Sequence, residues 1–295
     1  STEQCLNAIA GGSHDADPVM LAAWREYLGH GTTKLEPLLT KKLESTPDYA
    51  FIKGWTGEQA LSVLANPSDT TVRIPGVMKA HSIATHPSPT RASVIAWRCD
   101  KAGTFRVRGD VADAHPECGN GVTWTLEVRR GHTSEVLAGG VTQGAAVVGL
   151  GPFENLHVEA GQVVALVIGP REGSHSCDMT AVNLTISDGS RAWDLAGDVS
   201  PNILLGNPHG SWHFLSQAAT LESAPDVPAP VAEWRRNPSP ELAAEVRRHL
   251  EANLPLNSPL LRPFLSDRPG PAEKSDLTAA APSVIEIKVP AALAN

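Results

Sequence analysis

Eight short β-prone runs between residues 70 and 190 limit the fold of this 295-residue chain more than any other feature of its sequence. Apolar and polar side chains alternate clearly at Phe105 and Val107, at 122–128 and at 182–186, which is typical of strands with one buried face. Gly, Pro, Asn or Asp separates nearly every pair of runs, and no helical pattern lies between them. The spacing predicts a mainly β fold, an antiparallel β-sandwich of jelly-roll type with short flanking α-helices.

The first flank, residues 1–69, is predicted to be a helical lead-in. Its most regular pattern begins at Asp17, whose side chain can cap a helix that starts at Pro18. Two shorter amphipathic stretches, 35–43 and 57–64, have helix-like spacing of apolar residues. We expect all three to pack as helices beside the sandwich, which is assigned to residues 70–190.

The second flank, residues 191–295, is predicted to be an irregular Pro-rich wrap. It contains one expected helix at 240–252, capped by Ser239, and one late alternating strand at 283–289. We expect the late strand to return to the sandwich, because an isolated exposed strand is an aggregation edge.

Charge and hydropathy exclude several classes of partner. The formal net charge is −8 and the isoelectric point is near 5.7, which argues against nucleic acid and anionic lipid as partners, because both need a basic field. No stretch approaches 18 apolar residues, so no membrane insertion is predicted. The chain begins Ser-Thr-Glu-Gln-Cys, so any export signal is expected to lie outside this sequence.

The four cysteines, Cys5, Cys99, Cys118 and Cys177, lie far apart. Without a C-x-x-C or C-x-x-C-H string they predict neither a zinc finger nor a c-type haem in this chain. Two disulfides and four unpaired buried thiols both remain open. Four cysteines allow three pairings, and we favour Cys118 with Cys177 because both lie at loop-to-strand junctions.

Oxygen-bearing side chains are concentrated in the loop 109–121, which contains Asp110, Asp113 and Asn120. Such ligands suit Ca²⁺, which accepts six to eight oxygens in flexible geometry. Asp178 opens a later strand, and the loops at one end of a sandwich could bring it to Asp113 and Asn120. We therefore expect these four residues to hold a structural Ca²⁺. The alternative is that Asp113 and Asn120 cap turns with their own side chains.

Half of the 14 aromatic residues are tryptophan, and an exposed indole can stack on the apolar face of a sugar. Trp193 and Trp212 lie in irregular sequence and are the better candidates for exposure, whereas Trp124 lies in an alternating strand that also suits the core. Asn207 and His209 could supply polar groups to the sugar. The alternative for this loop is that the imidazole N–H of His209 satisfies a buried backbone carbonyl.

No string in the sequence organises a catalytic site. G-x-S-x-G and H-E-x-x-H are absent, and Gly149-Leu-Gly-Pro lacks the trailing Lys of a phosphate-binding loop. We therefore predict no catalytic residue.

Six short strings, in one order, resemble the β-sandwich region in the middle of large planctomycete cell-surface proteins. They are Ile74-Pro-Gly-Val-Met-Lys-Ala-His, His86-Pro-Ser-Pro-Thr, Asp113-Ala-His-Pro-Glu-Cys-Gly-Asn-Gly-Val-Thr-Trp, His175-Ser-Cys-Asp-Met-Thr, Trp193-Asp-Leu and Asn207-Pro-His-Gly. The resemblance extends from about residue 20 to the end. The other parts of those proteins are a cytochrome-c-like domain and domains of unknown function. The resemblance implies that this chain is one piece of an exported multi-domain protein. The sandwich of that family is similar to the non-catalytic carbohydrate-binding modules of secreted glycan-degrading proteins.

These observations together predict a non-catalytic carbohydrate-binding module of a larger secreted or cell-surface protein. Its expected partners are a polysaccharide or other glycan and the adjacent domains of the same protein, and its expected location is extracellular, at the cell surface or periplasmic. A scaffold that orders neighbouring domains is the first alternative, and a glycan-active hydrolase is the second. A tryptophan exposed beside a polar rim favours binding, whereas burial of every tryptophan favours the scaffold.

Overall fold

The structure is a computed structural model that describes residues 1–265 except 16, 31, 132 and 220–227, and omits the side chain of Arg236. The strand predicted at 283–289 lies outside the described residues. The helices are α1 (Thr2–Ala10), α2 (Pro18–Tyr27), α3 (Leu195–Val199), α4 (Ala229–Arg236), α5 (Pro240–Asn253) and α6 (Arg262–Leu265), with 3-10 turns at Ile203–Leu205 and Pro259–Leu261.

The described residues form fifteen strands. They are β1 (Lys41–Leu43), β2 (Lys53–Thr56), β3 (Ser62–Asn66), β4 (Val72–Ile74), β5 (Gly76–Met78), β6 (Ser82–His86), β7 (Arg91–Arg98), β8 (Gly103–Asp113), β9 (Val122–Arg130), β10 (Thr133–Thr142), β11 (Val147–Val158), β12 (Val163–Pro170), β13 (Thr180–Ser187), β14 (Ala192–Asp194) and β15 (Trp212–Ala218).

Two antiparallel sheets face each other. The larger has eight strands in the order β1-β2-β3-β6-β13-β8-β11, with β14 paired to β13, and the smaller has the order β10-β9-β12-β7-β15. The short strands β4 and β5 form a separate hairpin. The predicted mainly β, antiparallel sandwich with short helices is confirmed.

The inner faces of both sheets form one hydrophobic core. Alternate residues of β8, β9 and β13 point inward, as their period-2 pattern predicts. At the centre, the Trp97 ring packs edge-on against Phe105 and Trp193, with centroid distances of 5.1 and 5.0 Å. Every residue of β12 is buried, because Leu35 and the partly buried Leu38 pack on the outer face of this sheet.

The helical prediction for 35–43 and 57–64 was wrong. Leu38 makes a bridge to Leu215, and β1 follows at once, while 57–64 forms the turn and start of the β2–β3 hairpin. Pro37 removes a backbone donor from the first stretch. All five residues of β3 are buried, because this strand is covered on both faces. Its sequence therefore lacks the alternation of apolar and polar residues that predicts a strand.

The boundaries of the sandwich were too narrow as well. Strands β1, β2 and β3 precede residue 70, and β14 and β15 follow residue 190. The sequence of β15 lacks an alternating pattern because Trp212 and Phe214 fill the core while His213 and Leu215 are buried on the opposite face. Here too, burial of both faces removes the alternating pattern.

A helical layer joins the two flanks of the sequence. Side chains from α1, α2, α4, α5 and α6 share a second core that includes Trp24, Trp234 and Phe264. Asp17 caps α2 as predicted, with Oδ1 accepting from the backbone N–H groups of Val19 and Met20. The helix predicted at 240–252 is α5, and Ser239 caps it as expected.

Burial of His213 makes the stability of the fold sensitive to acid. His213 is 9% exposed. This burial, and then the charge of Arg98, lowers the pKa of His213 to about 4, while the charge of Asp100 acts in the opposite direction. An unfolded imidazole titrates near pH 6.5, so between pH 6.5 and 4 the unfolded chain binds more protons and stability falls as pH falls. From about pH 7.5 to about pH 4.5 this residue should cost the wild type about 2–3 kcal/mol.

The matched variant is His213→Leu. Urea unfolding at the two pH values should show that the variant loses about 2–3 kcal/mol less than the wild type, since it lacks the titrating group. Equal losses in both proteins would contradict the assignment to His213.

Candidate functional site

One disulfide holds together the loops at one end of the sandwich. Cys118 and Cys177 are bonded, with their Cα atoms 5.7 Å apart, so the predicted pairing is confirmed. The other two cysteines, Cys5 and Cys99, are free, and the chain therefore has one disulfide rather than two or none. The His115 ring lies beside the two sulfurs, but a disulfide sulfur carries no thiolate and is not a metal ligand.

Two carboxylates, those of Asp113 and Asp178, lie at the same end of the sandwich as this disulfide. Asp113 ends β8 and pairs with Thr180 of β13, two residues beyond Asp178. Asp178 is only 2% exposed, and neither of its carboxylate oxygens has a hydrogen-bond partner among the described residues. Burial, and then the charge of Asp113, raises the pKa of Asp178 to about 7, with no cationic side chain opposing the shift.

Asp113 is fixed by its own turn. Its Oδ1 accepts from the His115 N–H at 2.8 Å and its Oδ2 from the Gly144 N–H at 3.2 Å. The alternative prediction, that Asp113 caps a turn, is therefore correct. Each carboxylate oxygen has a second lone pair, so Asp113 can accept these two hydrogen bonds and still face Asp178.

Two further oxygens without partners lie at this end of the fold. Asn120 Nδ2 donates to the Arg171 carbonyl at 2.9 Å, while Asn120 Oδ1 is buried with no partner among the described residues. Thr142, which ends β10 opposite Val122, also has a buried hydroxyl without a partner. Buried oxygens that lack donors are costly.

Gly119 explains how closely the two loops approach. Its φ is +84°, and a Cβ at this position would collide with the Ser176 carbonyl and lie 3.5 Å from Asp178 Oδ1. Only glycine allows the loop that carries Asn120 to lie against the segment that carries Asp178.

Asp110 does not belong to this group, and its assignment as a ligand was wrong. Asp110 lies three residues before Asp113, so in β8 the two side chains point to opposite faces of the sheet. Asp110 accepts a hydrogen bond from Asn183 at 2.9 Å on the more exposed face.

All seven tryptophans of the chain are buried, so the expected stacking rings at Trp193 and Trp212 are not available. The Trp193 ring faces inward in β14, and the guanidinium of Arg191 lies over it at 4.5 Å. Trp212 is 1% exposed and donates from Nε1 to Asp198 at 2.9 Å. Trp124 fills the core from β9, as the sequence also allowed.

The side chain of Asn207, expected beside those rings, has backbone partners instead. Asn207 donates to the carbonyls of Leu39 and Phe214 and accepts from the Phe214 N–H, all within 2.9 Å. His209 and Trp212 exchange backbone hydrogen bonds. The alternative, that an imidazole N–H of this loop satisfies a buried carbonyl, is not seen at His209 Nδ1, which is buried with no hydrogen-bond partner among the described residues; the amide of Asn207 meets the carbonyls instead.

A second candidate site is a groove of about 1110 Å³ that sequence reasoning missed. It lies between the sandwich and α4, and its lining contains both polar and apolar groups. The lining residues are His30, Arg130, Ser134, Glu135, Val136, Pro152, Phe153, Glu154, Asn155, Leu156, His157, Glu159, Gln162, Ala229, Ala232 and Arg235. Because they come from distant parts of the chain, no local string signals the groove.

Arg130 is the best-anchored polar group of the groove. It donates to the His157 carbonyl, to Gln162 Oε1 and to Glu135 Oε2 at 2.9–3.2 Å, while its buried Nε has no partner among the described residues. Burial, and then the charge of Arg130, lowers the pKa of Arg235 on the opposite wall. Arg130 and Arg235 both line the groove.

The three glutamates of the groove each lie close to a nitrogen-bearing side chain. The pairs are Glu135 with Arg130 at 3.2 Å, Glu154 with Arg106 at 2.9 Å and Glu159 with His30 at 3.7 Å. A glycosidase acid instead sits in apolar surroundings that keep it protonated. The groove is therefore better suited to binding than to proton transfer.

No protein family, curated protein or solved structure matches this chain. Within the part of the chain that the structure describes, no helix combines the length and apolar character needed to cross a bilayer.

Proposed function

We propose that the chain is a non-catalytic carbohydrate-binding module and that the groove, rather than the tryptophans, is its ligand site. The observation that carries this proposal is the lining of the groove. Planar polar groups such as those of Arg130, Glu135, Asn155 and Arg235 can bond in pairs to vicinal hydroxyls. Phe153, which also lines the groove, offers an apolar ring for the C–H groups of a sugar.

The charge of the groove supports an uncharged ligand. Two arginines face three glutamates in the lining, so neither a polyanion nor a polycation is favoured by charge complementarity. A neutral ligand rich in hydroxyls can use donors and acceptors of both kinds. The ligand class we propose is therefore a neutral polysaccharide.

We further propose, as the resemblance implies, that the module belongs to a larger protein exported from the cytoplasm. The Cys118–Cys177 disulfide supports this, because disulfides persist in oxidising compartments. The adjacent domains of that protein would then be its covalent partners.

The test is a polysaccharide-binding screen with neutral and acidic glycans, followed by affinity measurements on variants. Glu135→Gln and Arg235→Gln should each weaken binding about 10- to 100-fold, since each removes a charged hydrogen-bonding group. Arg248→Gln is the matched control, because Arg248 is exposed on α5 away from the groove and should bind as the wild type does.

Thermal melting of each variant precedes the binding assay, so that loss of fold is distinguished from loss of affinity. The side chain of Glu135 is half exposed, so Glu135→Gln is the safer of the two changes. Wild-type affinity in both groove variants would contradict the proposed site.

The second candidate function is a scaffold that orders neighbouring domains. The burial of all seven tryptophans favours it, because no tryptophan is then left to stack on a sugar ring. Binding to none of the screened glycans would support the scaffold and contradict the binding module.

A further inference from the structure

We propose that Asp113, Asn120, Asp178 and Thr142 form a Ca²⁺ site that closes the disulfide-bonded end of the sandwich. The proposal is independent of the groove and of its ligand. It follows from four buried oxygens that have no donor among the residues the structure describes, two of them on Asp178 and one each on Asn120 and Thr142.

The composition of this group selects the class of ion. Carboxylate, amide and hydroxyl oxygens are hard ligands, and a site of oxygens alone suits Ca²⁺ or Mg²⁺ better than a transition metal. Asp113 and Asp178 together carry two negative charges, which a divalent cation neutralises. Ligands on three separate loops leave the geometry adaptable, which favours Ca²⁺ over the strictly octahedral Mg²⁺.

The surrounding structure holds the ligands in place. Asn120 follows Cys118 by two residues and Asp178 follows Cys177 directly, so the disulfide ties both ligands to one point. Asp113 is oriented by the backbone N–H groups of His115 and Gly144. Such support of ligands by neighbouring hydrogen bonds is a general property of metal sites.

Because the buried carboxylate of Asp178 has no partner, the proposal predicts a specific change in the melting of the Asp178→Asn variant. In chelator at about pH 8, Asp178→Asn should melt at the wild-type temperature or above it, because it removes a buried charge that has no partner. It should also lose the response to Ca²⁺. A purely structural aspartate would instead lower the melting temperature on substitution.

The experiment compares the melting of the full chain in EGTA and in excess CaCl₂, with isothermal calorimetry of Ca²⁺ binding. At about 100 times the dissociation constant, Ca²⁺ should raise the wild-type melting temperature by roughly 5–10 °C. Asp178→Asn and Asp113→Asn should abolish this shift. Asp110→Asn is the matched control, since Asp110 lies on the other face of β8, and it should keep the shift.

Two results would overturn the assignment. The first is the absence of both a thermal shift and binding heat with Ca²⁺ in the wild type. The second is a response to Zn²⁺ in place of Ca²⁺, because this would point to the nearby His115 rather than to the oxygen ligands.

Discussion

Replacing Trp97 by alanine is expected to lower the free energy of unfolding by about 3–5 kcal/mol, the range for removing a large aromatic side chain from a close-packed core. Trp97 is 1% exposed and lies on β7 directly opposite Trp212 of β15. Its ring contacts Phe105 and Trp193, which both belong to the opposing sheet, and both contacts are edge-on. The substitution would therefore leave a cavity between the two layers, and chemical denaturation of both proteins measures its cost.

The control for this prediction is Trp97→Phe. Nε1 of Trp97 has no hydrogen-bond partner among the described residues, so phenylalanine removes part of the ring volume and no bond. It should cost less than half as much as alanine, because the cost of a core truncation grows with the cavity left behind. Equal costs for the two variants would contradict a packing role.

Trp212→Phe provides a second comparison. Here Nε1 donates to Asp198, so the same chemical change removes a hydrogen bond as well as volume. We expect Trp212→Phe to cost about 1 kcal/mol more than Trp97→Phe, the typical net worth of one buried hydrogen bond.

The strands that could be predicted from the sequence are those with one face in the core. β8, β9 and β13 alternate because their outer residues remain partly exposed. β3 and β15 were missed because both faces are covered, by neighbouring chain on one side and by the core on the other. Alternation reports exposure of one face, so a strand buried on both faces has no periodic signal.

The positions of the loop residues could be predicted only as far as the order of the strands could. Asp113 and Asn120 flank one loop and Asp178 lies just before β13, which pairs with β8, so antiparallel pairing alone brings them to one end. Asp110 was misplaced because the side-chain direction reverses at each strand residue, and an odd separation from Asp113 puts it on the other face. Burial of Trp193 depended on its contact with Trp97, almost one hundred residues earlier, which local sequence does not reveal.

Breaking the Cys118–Cys177 disulfide is expected to lower the free energy of unfolding by about 4 kcal/mol, from the loop-closure entropy of the unfolded chain. The two cysteines are 59 residues apart, so the bond removes many conformations from the unfolded state. The variant Cys118→Ser with Cys177→Ser should show this loss in guanidinium unfolding, and reductant should bring the wild type to the same stability.

Cys5→Ser is the matched control, because Cys5 is a free, partly exposed cysteine of α1. It should change stability by less than about 1 kcal/mol, as expected for a change that creates no large cavity, and reductant should leave its difference from the wild type unchanged. A double serine variant as stable as Cys5→Ser would show that the loops are held by the sheets alone.

The same double variant links the disulfide to the proposed Ca²⁺ site. Asn120 and Asp178 lie within two residues of the bonded cysteines, so reduction frees both ligands from their common anchor. Reordering them on binding then costs conformational entropy, and Ca²⁺ affinity should fall at least 10-fold in a variant that is still folded. Calorimetry with Ca²⁺ at a temperature well below the melting point measures this separately from stability. Unchanged affinity would mean that hydrogen bonds such as that from Asn120 to the Arg171 carbonyl are sufficient to order the ligands.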